Sequence, residues 1–161
     1  MKKLTNKRGL GLSSSKGFTL IEVVLVLAIG GLIFLLAFIA FQQVSANRRD
    51  TQRRADAGRF IAEVQNARGD RNGAAPFTDQ TTLNAFLTTY FGGTTNTFTS
   101  NGITYTVTYG TAVPATATGA GVATMSVSTG QKCNGAAMTG SQSNTAILVG
   151  LEKGVACRDD L

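Results

Sequence analysis

At 161 residues, the chain has room for one extracytoplasmic domain and an anchor but not for two full domains. It contains no histidine, which excludes a Ser-His-Asp triad or a Cys-His pair, and two lone cysteines do not complete a zinc site. The formal charge of +6 suggests a nucleic-acid partner until it is located. Lys2, Lys3, Lys7, Arg8 and Lys16 fall in the first 17 residues, which carry no acid, and the rest of the chain is almost balanced.

The 17-residue basic stretch precedes an apolar run from Phe18 to Phe41, in which only Thr19 and Glu22 are strongly polar. At about 1.5 Å per residue, a helix of this length covers roughly 36 Å and can cross a hydrocarbon core of about 30 Å with some tilt. A buried helix of a globular protein rarely runs so far without charge. A secretory signal has a shorter apolar core, about 7–15 residues, followed by a small-residue cleavage site, and Gln42-Gln43-Val44-Ser45 offers none. Basic residues before the span hold that end in the cytoplasm, so the body is expected across the membrane.

Glu22 is the residue that an uncut signal anchor leaves unexplained. A charged group inside an apolar span costs about 2.5–3.5 kcal/mol on insertion scales, and no Lys, Arg or His between Phe18 and Phe41 can offset it. Cleavage before Phe18 would create an α-amino group at the helix start. That cation could pair with Glu22, most usefully between staggered neighbouring helices, where the pair would specify register more than affinity.

The segment Lys16-Gly17-Phe18-Thr19-Leu20-Ile21-Glu22-Val23 resembles the processing motif of type IV prepilins and of the pseudopilins of type II secretion. The resemblance implies cleavage by prepilin peptidase between Gly17 and Phe18, N-methylation of Phe18, and subunit docking through Glu22 with Phe18 and Thr19. It also implies a pilin-like α+β fold. A long N-terminal helix would have a transmembrane first half and a second half packed on a small antiparallel sheet. Many family members carry a helix-kinking proline about twenty residues into the mature chain; Ile39 stands in that neighbourhood here, and Gly30-Gly31 are the weak points of the helix.

Helix formers dominate from Gln42 to Arg71, with Val44, Phe60, Ile61 and Val64 as apolar positions. One helix is therefore expected from about Phe18 to Ala67, ended by Gly69, Gly73 and Pro76. Asp50 with Arg54 and Arg59 with Glu63 are spaced for ion pairs one turn apart. The arginines read as a solvated, salt-bridged face, with contacts to acids on adjacent subunits as the sharper account and lipid headgroups as a further option at Arg48 and Arg49. Nucleic acid is not indicated, because acids interrupt the run and no aromatics are interleaved.

Beyond residue 71, a short amphipathic helix is expected over Asp79–Phe91, opened by Thr78 or Asp79 and stopped by Gly92-Gly93. Ile103–Tyr109 alternates as a half-buried strand does, and Val122–Val127 and Ala146–Leu151 are two further strands, giving about three in all. Gly110–Gly121 reads as a loop. Cys133 and Cys157 are expected to form a disulfide outside the cytoplasm, worth about 3 kcal/mol in the chain-entropy model. Asp159 and Asp160 read as a solvated tail in preference to part of a calcium site.

The domain plan is therefore a cleaved leader (1–17), a transmembrane and polymerisation segment (18–41), an amphipathic helical half (42–70) and an extracytoplasmic globular domain (71–161). No catalytic residue, metal site or cofactor is expected, and the chain reads as a substrate of enzymes and not as an enzyme. The leading expectation is a structural subunit of a pilus-like filament, made as a single-pass bacterial membrane precursor with a cytoplasmic N-terminus and then extruded. By resemblance, such fibres serve adhesion, motility or DNA uptake. The implied partners are other pilin subunits, minor pilins among them, prepilin peptidase, membrane lipid before assembly, and an inner-membrane platform driven by a cytoplasmic ATPase. Two alternatives stand: a pseudopilin of a secretion or competence system, and a signal-anchored binding protein that does not polymerise.

Overall fold

The computed structural model describes residues 17–160; residues 1–16, and with them nearly all of the expected leader, lie outside the described residues. One helix, α1 (Leu20–Asp70), passes through Gly30 and Gly31 without a break. It contributes to two compact units that divide after Phe41. In the first unit, every described residue of α1 is exposed, including its large apolar side chains. This stretch of helix is long and apolar enough to cross a membrane.

In the second unit α1 turns one face inward. Ala57, Phe60, Ile61, Val64 and Ala67 are buried, at the three- and four-residue spacing by which a helix presents a single stripe to a core. α2 (Gln80–Phe91) is opened by Asp79, whose side chain accepts the Thr82 amide while the Thr82 hydroxyl accepts the Asp79 amide. This reciprocal cap satisfies two amides that the helix start leaves unpaired. Gly92, with φ 60°, ends the helix in the left-handed conformation. Leu83, Phe86 and Leu87 of α2 enter the core beside Phe60, whose ring lies 5.4 Å from that of Phe86 and 5.3 Å from that of Phe91.

The sheet holds five strands in the order β1 (Thr97–Ser100), β2 (Ile103–Tyr109), β3 (Val122–Asn134), β4 (Ala137–Leu151) and β5 (Gly154–Asp159). β1 and β2 form an antiparallel hairpin through Asn101-Gly102, both at positive φ as a type I′ turn requires. β3, β4 and β5 continue antiparallel. β2 and β3, however, pair in parallel, from Thr104 opposite Val122 to Tyr109 opposite Val127. The expected antiparallel sheet of about three strands is therefore a mixed sheet of five, within the expected α+β class.

The reason lies in the connection 110–121, about a dozen residues, which is long enough for the return that a parallel pair needs. That loop is packed in place. Ala117 is buried and its amide donates to Leu151 O, while the Thr124 hydroxyl donates to Ala115 O. A Cβ at Gly150 would lie 2.1 Å from Ala115 O, so β4 needs glycine where the loop crosses it. The outer parts of β3 and β4, together with β1 and β5, extend beyond the three expected strands. The outer parts of β3 and β4 are rich in Ser, Thr, Gly and Gln and carry little apolar alternation, whereas β1 turns Phe98 and Ser100 inward.

Candidate processing and docking site

The site begins where α1 begins. Gly17 and Phe18 precede the helix, and nothing lies within 4 Å of a Cβ built on Gly17. Thr19 is the residue before the first helical position, and its carbonyl accepts the amides of Glu22 and Val23 at 3.1 and 3.3 Å. Its hydroxyl accepts the Glu22 amide at 3.4 Å. Thr19-Leu20-Ile21-Glu22 thus has the Ser/Thr-x-x-Glu spacing of a helix-capping box, a signal present in the sequence but not used in reading it. Thr19 organises the first turn, and Glu22 places a carboxylate at the positive end of the helix dipole.

Phe18, Glu22, Val23, Val26 and Leu27 line one shallow groove. Its walls are almost wholly apolar and Glu22 is its acid. Among the described residues no ion pair involves Glu22. The structure therefore gathers Phe18, Thr19 and Glu22 at the same turn, with Gly17 immediately before them. Such an arrangement suits recognition of a cationic group at the end of an apolar helix. It holds neither a nucleophile–base pair nor, among the described residues, a group of three or more metal-ligating side chains.

Cys133 and Cys157 are in the second unit, on β3 and β5, joined as a disulfide with Cα atoms 5.7 Å apart. The bond spans β4, which lies between their strands in the sheet. Beside it the C-terminal acids are structural. Asp159 accepts the Cys133 amide at 2.7 Å; Asp160 accepts the Thr145 amide and pairs with Arg68 of α1, both at 2.5 Å. The Asp160 side chain is fully buried, which overturns the expected solvated tail. Fixed donors on β3, β4 and α1 claim both carboxylates.

The arginines divide in a way that spacing alone did not indicate. Asp50 pairs with Arg53, three residues on, and not with Arg54. Arg53 is fully buried and also donates to Glu152 at 3.2 Å and to Gly119 O at 2.5 Å. Arg49 Nε donates to Glu152 at 2.5 Å, and that hydrogen bond, reinforced by Arg53, holds the Glu152 carboxyl below the ordinary glutamate range against the opposing effect of desolvation. These residues clamp α1 to the β4–β5 turn and to the 110–121 loop. A second anchor is Asp56, which accepts from the hydroxyls of Tyr105 at 2.6 Å and Ser100 at 2.9 Å. Burial first, then the bond to Asp56, raises the Tyr105 pKa far above the usual phenol range. Sequence reasoning missed Glu152 and Asp56 as anchors because their partners are distant in the chain.

Neither a curated protein nor a solved structure matches the chain. Residues 12–38 match the family model described as the prokaryotic N-terminal methylation motif. That stretch contains Gly17, Phe18, Thr19 and Glu22 and most of the exposed apolar helix; it is the type IV prepilin signature, and together with a helix long and apolar enough to cross a membrane it fits a membrane-anchored precursor of the pilin-like or pseudopilin kind.

Proposed function

We propose that the chain is a structural subunit of a type IV pilus-like filament, released for assembly by removal of residues 1–17. The observation that carries this reading is Glu22. It is an acid in the first turn of α1, in a helical stretch that is otherwise uncharged as far as Phe41, without a cationic partner among the described residues. Cleavage before Phe18 supplies the missing cation as an α-amino group, and a neighbouring subunit can present its own amino group to the same carboxylate. In the low dielectric of a membrane or a helical bundle this attraction is strong, and desolvation offsets part of it, so its main product is register.

Assembly then exchanges lipid for protein around the first half of α1. Lipid tails and apolar side chains are equally apolar, so the exchange is driven by packing and is nearly neutral. Near-neutrality suits a fibre that can grow and be withdrawn. The second unit remains outside the membrane and tiles the fibre surface, tied together by its disulfide. Prepilin peptidase, an inner-membrane platform and a cytoplasmic ATPase complete the expected machinery, and adhesion, motility or DNA uptake are the uses such a fibre serves.

Mass spectrometry of the protein purified from cells tests the reading. The expected mature chain starts at N-methylated Phe18, and Glu22→Ala is expected to be cleaved normally yet to yield few fibres. A chain that keeps its first 17 residues and still polymerises defeats the proposal, as does wild-type fibre yield from Glu22→Ala.

A further inference from the structure

The second unit spends most of its acids internally. Asp50, Asp56, Glu152, Asp159 and Asp160 are each held by a cation, a hydroxyl or a backbone amide, and Asp79 caps α2. The exposed bases are not matched in this way. Arg54 and Arg158 line one cavity of about 200 Å³ between α1 and β5, over a floor of Ala57, Val149, Ala156 and Cys157. No acid is among the residues lining it, and neither arginine forms an ion pair among the described residues. Lys153 and Arg54 also line the next depression along α1, together with Asp50, whose carboxylate is engaged by Arg53.

The helix is shaped for this arrangement. Gly58 sits inside α1, where glycine costs about 1 kcal/mol relative to alanine. A Cβ there would come within 3.3 Å of Arg158 Nε. The glycine thus lets the Arg158 guanidinium lie against α1, in the cavity that Arg54 also lines. Two like charges held in one partly apolar cavity repel each other unless an anion joins them. In the second unit, Glu63 and Asp70 of α1 form no ion pair among the described residues, and they stand seven residues apart and so on one face of the helix. Their polar partners are neutral, Asn66 and Tyr90.

We infer that the Arg54–Arg158 cavity receives the Glu63/Asp70 carboxylate face of a second copy of this chain. The inference rests on the filament reading and names the contact by which the second units would recognise each other. Three observations favour another copy over an unrelated anion. The complementary acids are present on the chain itself. They lie on the same helix as the cavity. That helix continues from the apolar segment already assigned to subunit packing. Charged contacts of this kind set orientation and rate of docking more than affinity.

The test uses the full chain in cells that assemble it. Arg54→Glu with Arg158→Glu, and separately Glu63→Lys with Asp70→Lys, are each expected to lower fibre yield about tenfold or more. The chain carrying all four changes is expected to recover most of it. Gly58→Ala is expected to leave the unfolding midpoint unchanged or higher while lowering fibre yield, which separates assembly from folding. Wild-type fibre yield from the arginine double variant overturns the inference, and so does failure of the four-fold variant to recover. Normal fibres that have lost binding to inorganic polyphosphate overturn it in favour of a polyanion ligand. A wild-type chain that is cleaved at Phe18 yet forms no fibre defeats the filament reading instead.

Discussion

α1 is one helix built for two solvents. Before Gln42 its phenylalanines, leucines and isoleucines all stand exposed, Phe34 at 75%, and none of the described residues covers them. After Gln42 the same kind of side chain vanishes into a core, Phe60 at 0%. The backbone conformation is the same in both stretches, so the difference is one of pattern. An apolar surface all round a helix demands a non-aqueous environment or other helices, whereas a single apolar stripe can be covered by a sheet. A helix can therefore be continuous in hydrogen bonding while its halves answer to unrelated constraints.

Making the same substitution in each half puts the contrast to its hardest test. Phe60→Ala is expected to cost about 3–5 kcal/mol of stability, because the ring is enclosed by Phe77, Phe86, Phe91 and Phe98. Phe34→Ala is expected to leave the second unit's unfolding untouched and to act only on membrane retention or assembly. Urea unfolding of the detergent-solubilised chain measures the first effect, and equal losses from both variants would abolish the distinction.

A sharper version uses adjacent arginines. Arg53→Ala is expected to cost about 3 kcal/mol or more, since it leaves buried Asp50 without its cation and weakens the hold on Glu152, whereas Arg54→Ala should change stability by less than about 0.5 kcal/mol. Similar urea midpoints for the two would show that burial of Arg53 carries no energetic weight. Reduction of Cys133–Cys157 is expected to cost about 3 kcal/mol in the second unit alone, read as a lower melting temperature in reductant. Tyr105→Phe removes the shortest donor to Asp56 and is expected to cost about 1–3 kcal/mol, with Ser100→Ala nearer the lower end.

The smallest effect is acid sensitivity. Glu152 has its pKa lowered in the folded chain, so its contribution is complete above the unfolded value near 4.5 and fades as pH falls through the lower folded value. Unfolding midpoints compared at pH 6 and pH 3 should fall less for Glu152→Gln than for the native chain. An identical fall would remove Glu152 from the account.

Much of this molecule could be read without coordinates because the signals were local. The prepilin signature, the apolar run, the alternation of Ile103–Tyr109 and the turn chemistry around α2 each depend on neighbours a few residues apart. A strand's periodicity carries no direction, so the parallel pairing of β2 with β3 could not be read from it. The polar outer parts of β3 and β4 had too little alternation to register as strands at all. At the candidate site, residue types and spacing drew attention to Gly17, Phe18 and Glu22, and the capping geometry of Thr19 needed the backbone to be visible.

Local chemistry in the sequence determined that this chain has an apolar helix beginning beside an acid, a basic segment ahead of it, and a Thr/Ser/Gly-rich body. Tertiary structure alone decided which arginines would be buried, where the last two aspartates would go, and that Arg54 and Arg158 would share a cavity. Those outcomes depend on residues such as Asp50 and Glu152, or Arg68 and Asp160, meeting across many tens of residues. Charge and hydrogen bonding act through space, and only the folded chain sets those distances.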